Sequence, residues 1–258
     1  MASLSLRHLS KTYDNGVNAI KDVTLEVDDK EFMVLAGPVG CGISTVLRMI
    51  AGVEDITDGE LLVDGERMNE TPSIDRDMAM IFKNGKLYPQ MNIYDNLAFG
   101  LKLKELPIGE IDARIAEVTQ VLNIGHLLDK MTEDLDEKER ALVVLGRAIA
   151  KKPKVFLLDE PFSSLSKELK KEMQELLWSL YEKMQITVVY VTHNSEDIRH
   201  TDTRVAVMND GSVQQIGTIG ELSGKSWNQV VQLGLRACGY SSGHKIKSVT
   251  AKSCEFSC

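Results

Sequence analysis

The sequence predicts an α/β protein: a mixed, mainly parallel sheet flanked by helices, with an antiparallel β portion at the N-terminus and a helical insertion. Three observations carry that expectation. After Glu31, residues 32–36 form a continuous apolar run ending in Gly37 and Pro38, as a strand buried on both faces does. Strand and helix patterns alternate again over residues 155–208, which argues for parallel strands joined by right-handed crossovers. Between these regions, residues 92–151 carry helical periods instead of alternation.

In chain order, Leu4 and Leu6, then Val23, Leu25 and Val27, alternate with polar residues and read as half-buried strands. After the apolar run and a glycine-rich turn, residues 44–51 read as a helix stopped by Gly52. Residues 59–65 look like a short strand between turns, and residues 78–82 like a buried strand. Ile93, Leu97 and Leu101, then Ile111, Ile115, Val118 and Leu122, recur at helical spacings broken near Pro107. A strand at 155–158, a helix at 167–184, a strand at 186–191, a short helix from Ser195 and a strand at 204–208 complete the pattern. Past Leu222 the signal fades into Ser, Gly, Lys and Cys, as a weakly ordered tail would. The expected organisation is a discontinuous core over 1–89 and 152–222, a helical subdomain over 90–151 and a tail over 223–258.

Composition narrows the function. The 258 residues carry a net charge of -8 with no concentrated basic face, so nucleic acid is not an expected partner. The apolar runs are too short to span a bilayer, and the start lacks the build of a secretory signal. A cytoplasmic protein is expected, peripheral on the inner face of the membrane through a partner. Cys41, Cys238, Cys254 and Cys258 show no zinc spacing and read as free thiols. Met78, Met80, Met91 and Met184 read as core filling.

The chemistry lies at strand ends. Gly37, Pro38, Val39, Gly40, Cys41, Gly42, Ile43, Ser44 and Thr45 stand between a buried strand and a helix, the placement a phosphate loop requires. Glycines let backbone N–H groups approach phosphates, and the helix start favours an anion. Ser44 is placed to ligate Mg²⁺. The apolar strand at 155–158 ends in Asp159 and Glu160, positioned to serve a metal shell and an attacking water. Each feature alone has a bland reading, a tight turn in one case and ordinary strand-end acids in the other.

Order and spacing together resemble the ATP-binding subunits of ABC transporters over residues 4 to about 220. Tyr13 matches the aromatic that stacks on adenine, and Phe82 to Met91 match the Q-loop and the segment after it. Residues 145–150 match the helix after the signature motif, Pro161 to Ser166 the D-loop, and His193 the switch histidine. The run Leu87 to Gly100 looks closest to carbohydrate and glycerophosphate importers. The resemblance implies a P-loop NTPase core that binds ATP and Mg²⁺. It also implies transmembrane permease subunits as partners, and a homodimer or a heterodimer with another ATP-binding subunit. Glycines 37, 40 and 42 with their neighbours would hold the phosphates, Ser44 and Asp159 the metal, Glu160 the water, and His193 the γ-phosphate. Members of this subclass usually continue into a β-rich regulatory domain, and regulation through such a domain is not expected here.

Four departures fall on working parts. Ile43 stands where the phosphate-loop lysine belongs, Lys83 in place of the Q-loop glutamine, and Ser166 in place of the D-loop aspartate. The signature Leu-Ser-Gly-Gly-Gln reads Leu135, Asp136, Glu137, Lys138, Glu139. Asp136 with Glu139 forms a capping box, so the helix start is kept, but the γ-phosphate of a partner subunit would meet carboxylates. At about 5 Å and an effective dielectric near 20, each such pair costs roughly 3 kcal/mol, which Lys138 partly offsets. Loss of the lysine removes about 1.5–3 kcal/mol of binding and about 10²–10³ in rate. Since this chain is deficient on both faces of a composite site, impaired hydrolysis is expected in either kind of dimer. The alternative is a non-hydrolysing regulatory or scaffold pseudo-ATPase that binds transporter subunits.

Overall fold

The computed structural model describes residues 2–83, 85–194, 197–198 and 202–224. The N-terminal strands β1 (Leu4–Thr12), β2 (Asn18–Val27), β4 (Asp58–Val63) and β5 (Glu66–Arg67) form an antiparallel sheet in the order β2-β1-β4-β5. A second sheet holds β3 (Phe32–Ala36), β6 (Met78–Ile81), β7 (Val155–Asp159), β8 (Thr187–Thr192), β9 (Arg204–Asn209) and β10 (Ser212–Thr218), in the order β10-β9-β3-β8-β7-β6. Its strands are parallel except for β10, which pairs antiparallel with β9. The mixed, mainly parallel sheet and the N-terminal antiparallel portion are therefore both present.

Alternation along the strands divides the core into two. Successive side chains point to opposite faces of a sheet. Met33, Leu35, Val155, Leu157, Val189, Val191, Ala206 and Met208 face α1 (Ile43–Ala51) and the antiparallel sheet, in one apolar cluster. Val34, Ala36, Phe156, Leu158, Val188, Tyr190, Val205 and Val207 face the opposite way, toward a second cluster shared with the helices. Helix α1 is thus held between two sheets. Its C-terminus is closed by Arg76, 5% exposed, whose guanidinium donates to the carbonyls of Met49 and Ile50 at 2.8 and 2.9 Å. A cation over the last turn meets both the orphan carbonyls and the negative end of the helix dipole.

Helices α2 (Ile93–Leu103), α3 (Ile108–Leu122) and α4 (Glu137–Ala150) pack on one another through Leu97, Leu101, Ile111, Ile115, Val118, Leu122, Val143 and Leu145. Their apolar residues belong to the same cluster as one face of the parallel sheet, so the helical unit shares the core of the strands. Helix α5 (Lys167–Met184) covers that face farther along the chain, and Phe32, Trp178, Tyr181 and Tyr190 form an aromatic group between it and the sheet. Strand β10 had no counterpart in the sequence reading. The two-residue turn Asp210–Gly211 has positive φ at both positions, the hairpin geometry that an Asp-Gly pair favours. Helix α6 spans Ile219–Gly224. The helix expected from Ser195 and the tail from residue 225 onward lie outside the described residues.

Candidate functional site

The turn between β3 and α1 is shaped by contacts that admit only glycine at two points. A Cβ on Gly37 would lie 2.3 Å from the Met208 carbonyl oxygen and 2.6 Å from the Cys41 sulfur. Gly42 has φ +99°, and a Cβ there would meet the Ile20 side chain at 2.6 Å and the Ala19 carbonyl at 2.9 Å. The turn is braced from outside: the Gly211 N–H donates to the Cys41 carbonyl at 3.0 Å, and the Cys41 N–H to the Pro38 carbonyl at 3.1 Å. Helix α1 begins with Gly42 as its N-cap and no side-chain cap, so its first-turn N–H groups face the turn. The brace from Gly211 is a functional support that the sequence reading missed, because it depends on the unpredicted hairpin.

Strand order then assembles the chemistry. Strands β3, β8, β7 and β6 are consecutive parallel neighbours, so Gly37, His193, Glu160 and Lys83 all emerge within two residues of the same carboxyl edge. Ligands of open α/β sheets bind at that edge. The Ser44 hydroxyl donates to Asp159 Oδ1 at 2.9 Å, which ties the start of α1 to the end of β7. Glu160 follows with φ +44°. The backbone N–H of His193 donates to Glu160 Oε1 at 3.3 Å, and its ring Nδ1 donates to the Gly37 carbonyl at 2.7 Å. Lys83 Nζ is paired with Glu160 Oε2. Burial works against the charge of Glu160, yet the Lys83 hydrogen bond and the charges of His193 and Lys83 together hold its carboxyl below the usual range. The sequence placed Lys83 beside a phosphate site, but nothing in it named Glu160 as the partner.

The other expected residues divide. Pro38, Gly40 and Thr45 lie in the turn and the first turn of α1. Cys41 is 3% exposed, and burial above all pushes its thiol up, which suits a packing residue. Ile43 is 1% exposed and belongs to the apolar cluster on the α1 side of the parallel sheet, leaving its backbone as the part able to reach a ligand. Tyr13 sits in the turn that joins β1 to β2, where its N–H donates to the Val17 carbonyl at 2.9 Å. Lys11, paired with Glu54 at 2.8 Å, lies 5.1 Å from the Tyr13 ring centroid. Because β2 passes Gly42 at Ala19 and Ile20, this turn stands at the same end of the fold as the phosphate loop.

At the head of α4 both halves of the capping box form: Asp136 Oδ1 accepts from the Glu139 N–H at 2.7 Å, and Glu139 Oε2 from the Asp136 N–H at 3.0 Å. Lys138 reaches Glu172 of α5 at 2.5 Å, so its charge is engaged away from Asp136. Ser166 caps α5 by accepting from the Leu169 N–H at 3.4 Å, a use that a serine serves as well as an aspartate. A cleft of about 480 Å³ opens beyond β6, lined by Phe82, Lys86, Tyr88, Phe99, Arg147 and Lys151 among others. Burial first, then the nearby charges of Arg147 and Lys104, push the Lys151 ammonium down. Asn96, wholly buried, fixes the cleft wall by accepting from the Tyr88 N–H and donating to the carbonyls of Tyr88, Met91 and Asn92.

Ser44 and Asp159 offer two hard oxygens, and no cluster of three or more Asp, Glu, His or Cys suited to a metal occurs among the described residues. That set fits Mg²⁺, which keeps waters and phosphate oxygens in its shell and does not demand an all-protein cage. A glycine turn at a helix start, an acid pair two strands away and a histidine at the end of the strand between them form the arrangement of a phosphate-loop cassette.

Residues 20–163 match the family described as ABC transporter. The ABC transporter ATP-binding protein YcjV of Escherichia coli is 46% identical over 217 residues, 84% of this chain and 60% of the relative. The oligosaccharides import ATP-binding protein MsmX of Bacillus subtilis is 44% identical over 218 residues, again 84% of this chain and 60% of the relative. Among solved structures, a dimeric post-hydrolysis state of the ATP-binding cassette MJ0796 bound to ADP and Pi is similar with a TM-score of 0.73. Its identity is 26%, over 84% of this chain and 98% of that one. The chain belongs to the ABC transporter ATP-binding family. It spans about 60% of the length of the curated relatives it matches. No described helix is long and apolar enough to cross a membrane.

Proposed function

We propose that this chain is the ATP-binding subunit of a sugar importer, one that binds ATP with Mg²⁺ and hydrolyses it poorly. Nucleotide binding is supported by the Ser44–Asp159 pair standing beside Glu160 and His193 at one sheet edge. The observation that carries impaired hydrolysis is Ile43, buried in the core at the position from which a cation would reach the phosphates. In this reading the backbone of Gly37, Pro38, Gly40, Cys41, Gly42 and Thr45 cradles the phosphates, and Tyr13 stacks on the base. Ser44 and Asp159 hold the metal, whose charge neutralises phosphate oxygens. Glu160 orients water, and His193 meets the terminal phosphate. An oriented water achieves little unless the phosphate is held in line.

Similarity to the oligosaccharides import protein MsmX supports an oligosaccharide as the cargo. The basic, partly aromatic cleft at Tyr88, Phe99 and Arg147 supports docking of a transmembrane permease subunit, which places the protein on the inner face of the membrane. The subunit works as a homodimer or beside another ATP-binding subunit. A pseudo-ATPase that only occupies permease subunits is the second reading, favoured by the coexistence of this cleft with altered catalytic residues. Nucleotide titration together with steady-state phosphate release in the presence of the permease subunits tests the proposal. ATP binding with little release is expected; release at the rate of an intact importer contradicts it, and absence of ATP binding favours the pseudo-ATPase.

A further inference from the structure

The phosphate site is unbalanced in charge. Asp159 and Glu160 stand side by side at the end of β7, Asp159 is 4% exposed, and Ile43 contributes no cation from the head of α1. A polyphosphate entering this edge meets two carboxylates, and one divalent cation does not offset both them and the phosphates.

Lys83 is paired with one member of this acid pair, Glu160. It leaves the end of β6, whose Ile81 is in register with Leu158 of β7, and its ammonium is paired with Glu160. Glu160 in turn contacts the His193 N–H, and His193 contacts the Gly37 carbonyl, so a continuous chain of polar contacts runs from Lys83 to the phosphate loop. The Lys83 side chain is 55% exposed, whereas that of Glu160 is 11% exposed. The carboxylate is therefore fixed, and the four-carbon stem of the lysine is free to turn.

We infer that Lys83 supplies the positive charge on the nucleotide's terminal phosphates that Ile43 does not, exchanging its pairing with Glu160 for phosphate oxygens when nucleotide enters. The charge reaches the phosphates from the β6 side of the site instead of from the loop. This inference rests on the nucleotide-binding reading above and names the residue that gives it a preference for polyphosphate. A phosphate held in this way still lacks a charge from the loop side, so binding through Lys83 does not restore turnover.

Calorimetric titration of the intact chain with ATP, ADP and AMP, with and without Mg²⁺, tests the inference. The unaltered chain should prefer ATP to AMP by about tenfold, the size expected of one charge-assisted contact. Lys83→Gln should lower ATP affinity by about the same factor and leave AMP affinity within about twofold, the AMP result serving as the control for folding. Glu160→Gln, which releases Lys83, should raise ATP affinity. An ATP-to-AMP ratio unchanged by Lys83→Gln overturns the inference, and so does a rise in ATP affinity on Lys83→Gln, which would make the lysine merely an obstruction. Failure of the unaltered chain to bind any nucleotide overturns the nucleotide-binding reading itself, whereas binding that ignores Lys83 overturns this inference alone.

Discussion

Asp136 and Glu139 cap each other's backbone at the head of α4, at 2.7 and 3.0 Å. Two of the three acidic residues that replace the expected signature are thus engaged in starting the helix. Asp136→Ala should cost about 1 kcal/mol of stability, and Asp136→Ser only a few tenths, since serine caps nearly as well. Urea unfolding of the three chains measures both values. A serine variant as unstable as the alanine variant would show that the carboxylate is needed for something other than the cap.

Ile43 is a core residue by its surroundings. Ile43→Ala should lower stability by about 2–5 kcal/mol through lost burial and the cavity left behind. Its effect on ATP affinity should stay within about twofold, far below the tenfold of one 1.4 kcal/mol contact. Denaturant unfolding and a nucleotide titration on the same variant check the two halves of this expectation. A large affinity loss without a stability loss would place the side chain at the ligand.

Asn96→Leu removes four side-chain hydrogen bonds to the loop that carries Tyr88. The Tyr88 carbonyl keeps the Met91 N–H and the Asn92 carbonyl keeps the Asn96 N–H, so the Tyr88 N–H and the Met91 carbonyl lose their partners, which should cost about 1–3 kcal/mol. The loop should also become the first cleavage site in limited proteolysis. Unchanged proteolysis with unchanged stability would mean that the loop is held by its apolar contacts alone.

Tyr94 donates to Asp112 Oδ1 at 2.5 Å. That bond first, then burial and the charges of Asp112 and Asp95, push its hydroxyl up to about 12. A raised value means the stabilisation is complete below the ordinary tyrosine value of about 10 and is lost as pH rises through the folded value. Ultraviolet titration should show one tyrosine ionising late, and Asp112→Asn should return it toward about 10. A variant that titrates like the parent would assign the shift to burial.

Much of the fold was legible because its signals are redundant. The run from Phe32 to Ala36 is apolar on both faces and is followed by glycines, and that arrangement fits few places other than an inner parallel strand before a turn. The family resemblance assigned Asp159 and Ser44 to one metal site, and the two meet because a strand-end acid and a helix-start hydroxyl come to the same edge once the strands are parallel. Strand β10 was not legible: Ser212, Gln214, Gln215 and Gly217 give it little apolar alternation, and it is largely half-exposed. Its signal was the Asp210–Gly211 pair. The partner of Lys83 was hidden for a different reason. Lys83 and Glu160 follow strands whose adjacency the chain order does not state, because β6 and β7 are separated by the whole helical unit.

The central claim is that this cassette is weakened on both faces of a composite site. Phosphate release from four chains measures it most directly: the parent, Ile43→Lys, the reversion of residues 136–139 to Ser-Gly-Gly-Gln, and the combination of the two. Ile43→Lys should tighten ATP binding by about tenfold without turnover, because Asp136 and Glu137 still face the partner's phosphate. The signature reversion alone should also fail, because the loop side still holds the phosphates without a charge. Groups that act as a unit are strongly non-additive, so the combination should recover activity that neither part does. Ile43→Lys reaching the rate of the combination would contradict the account, because the acidic residues at the head of α4 would then be harmless.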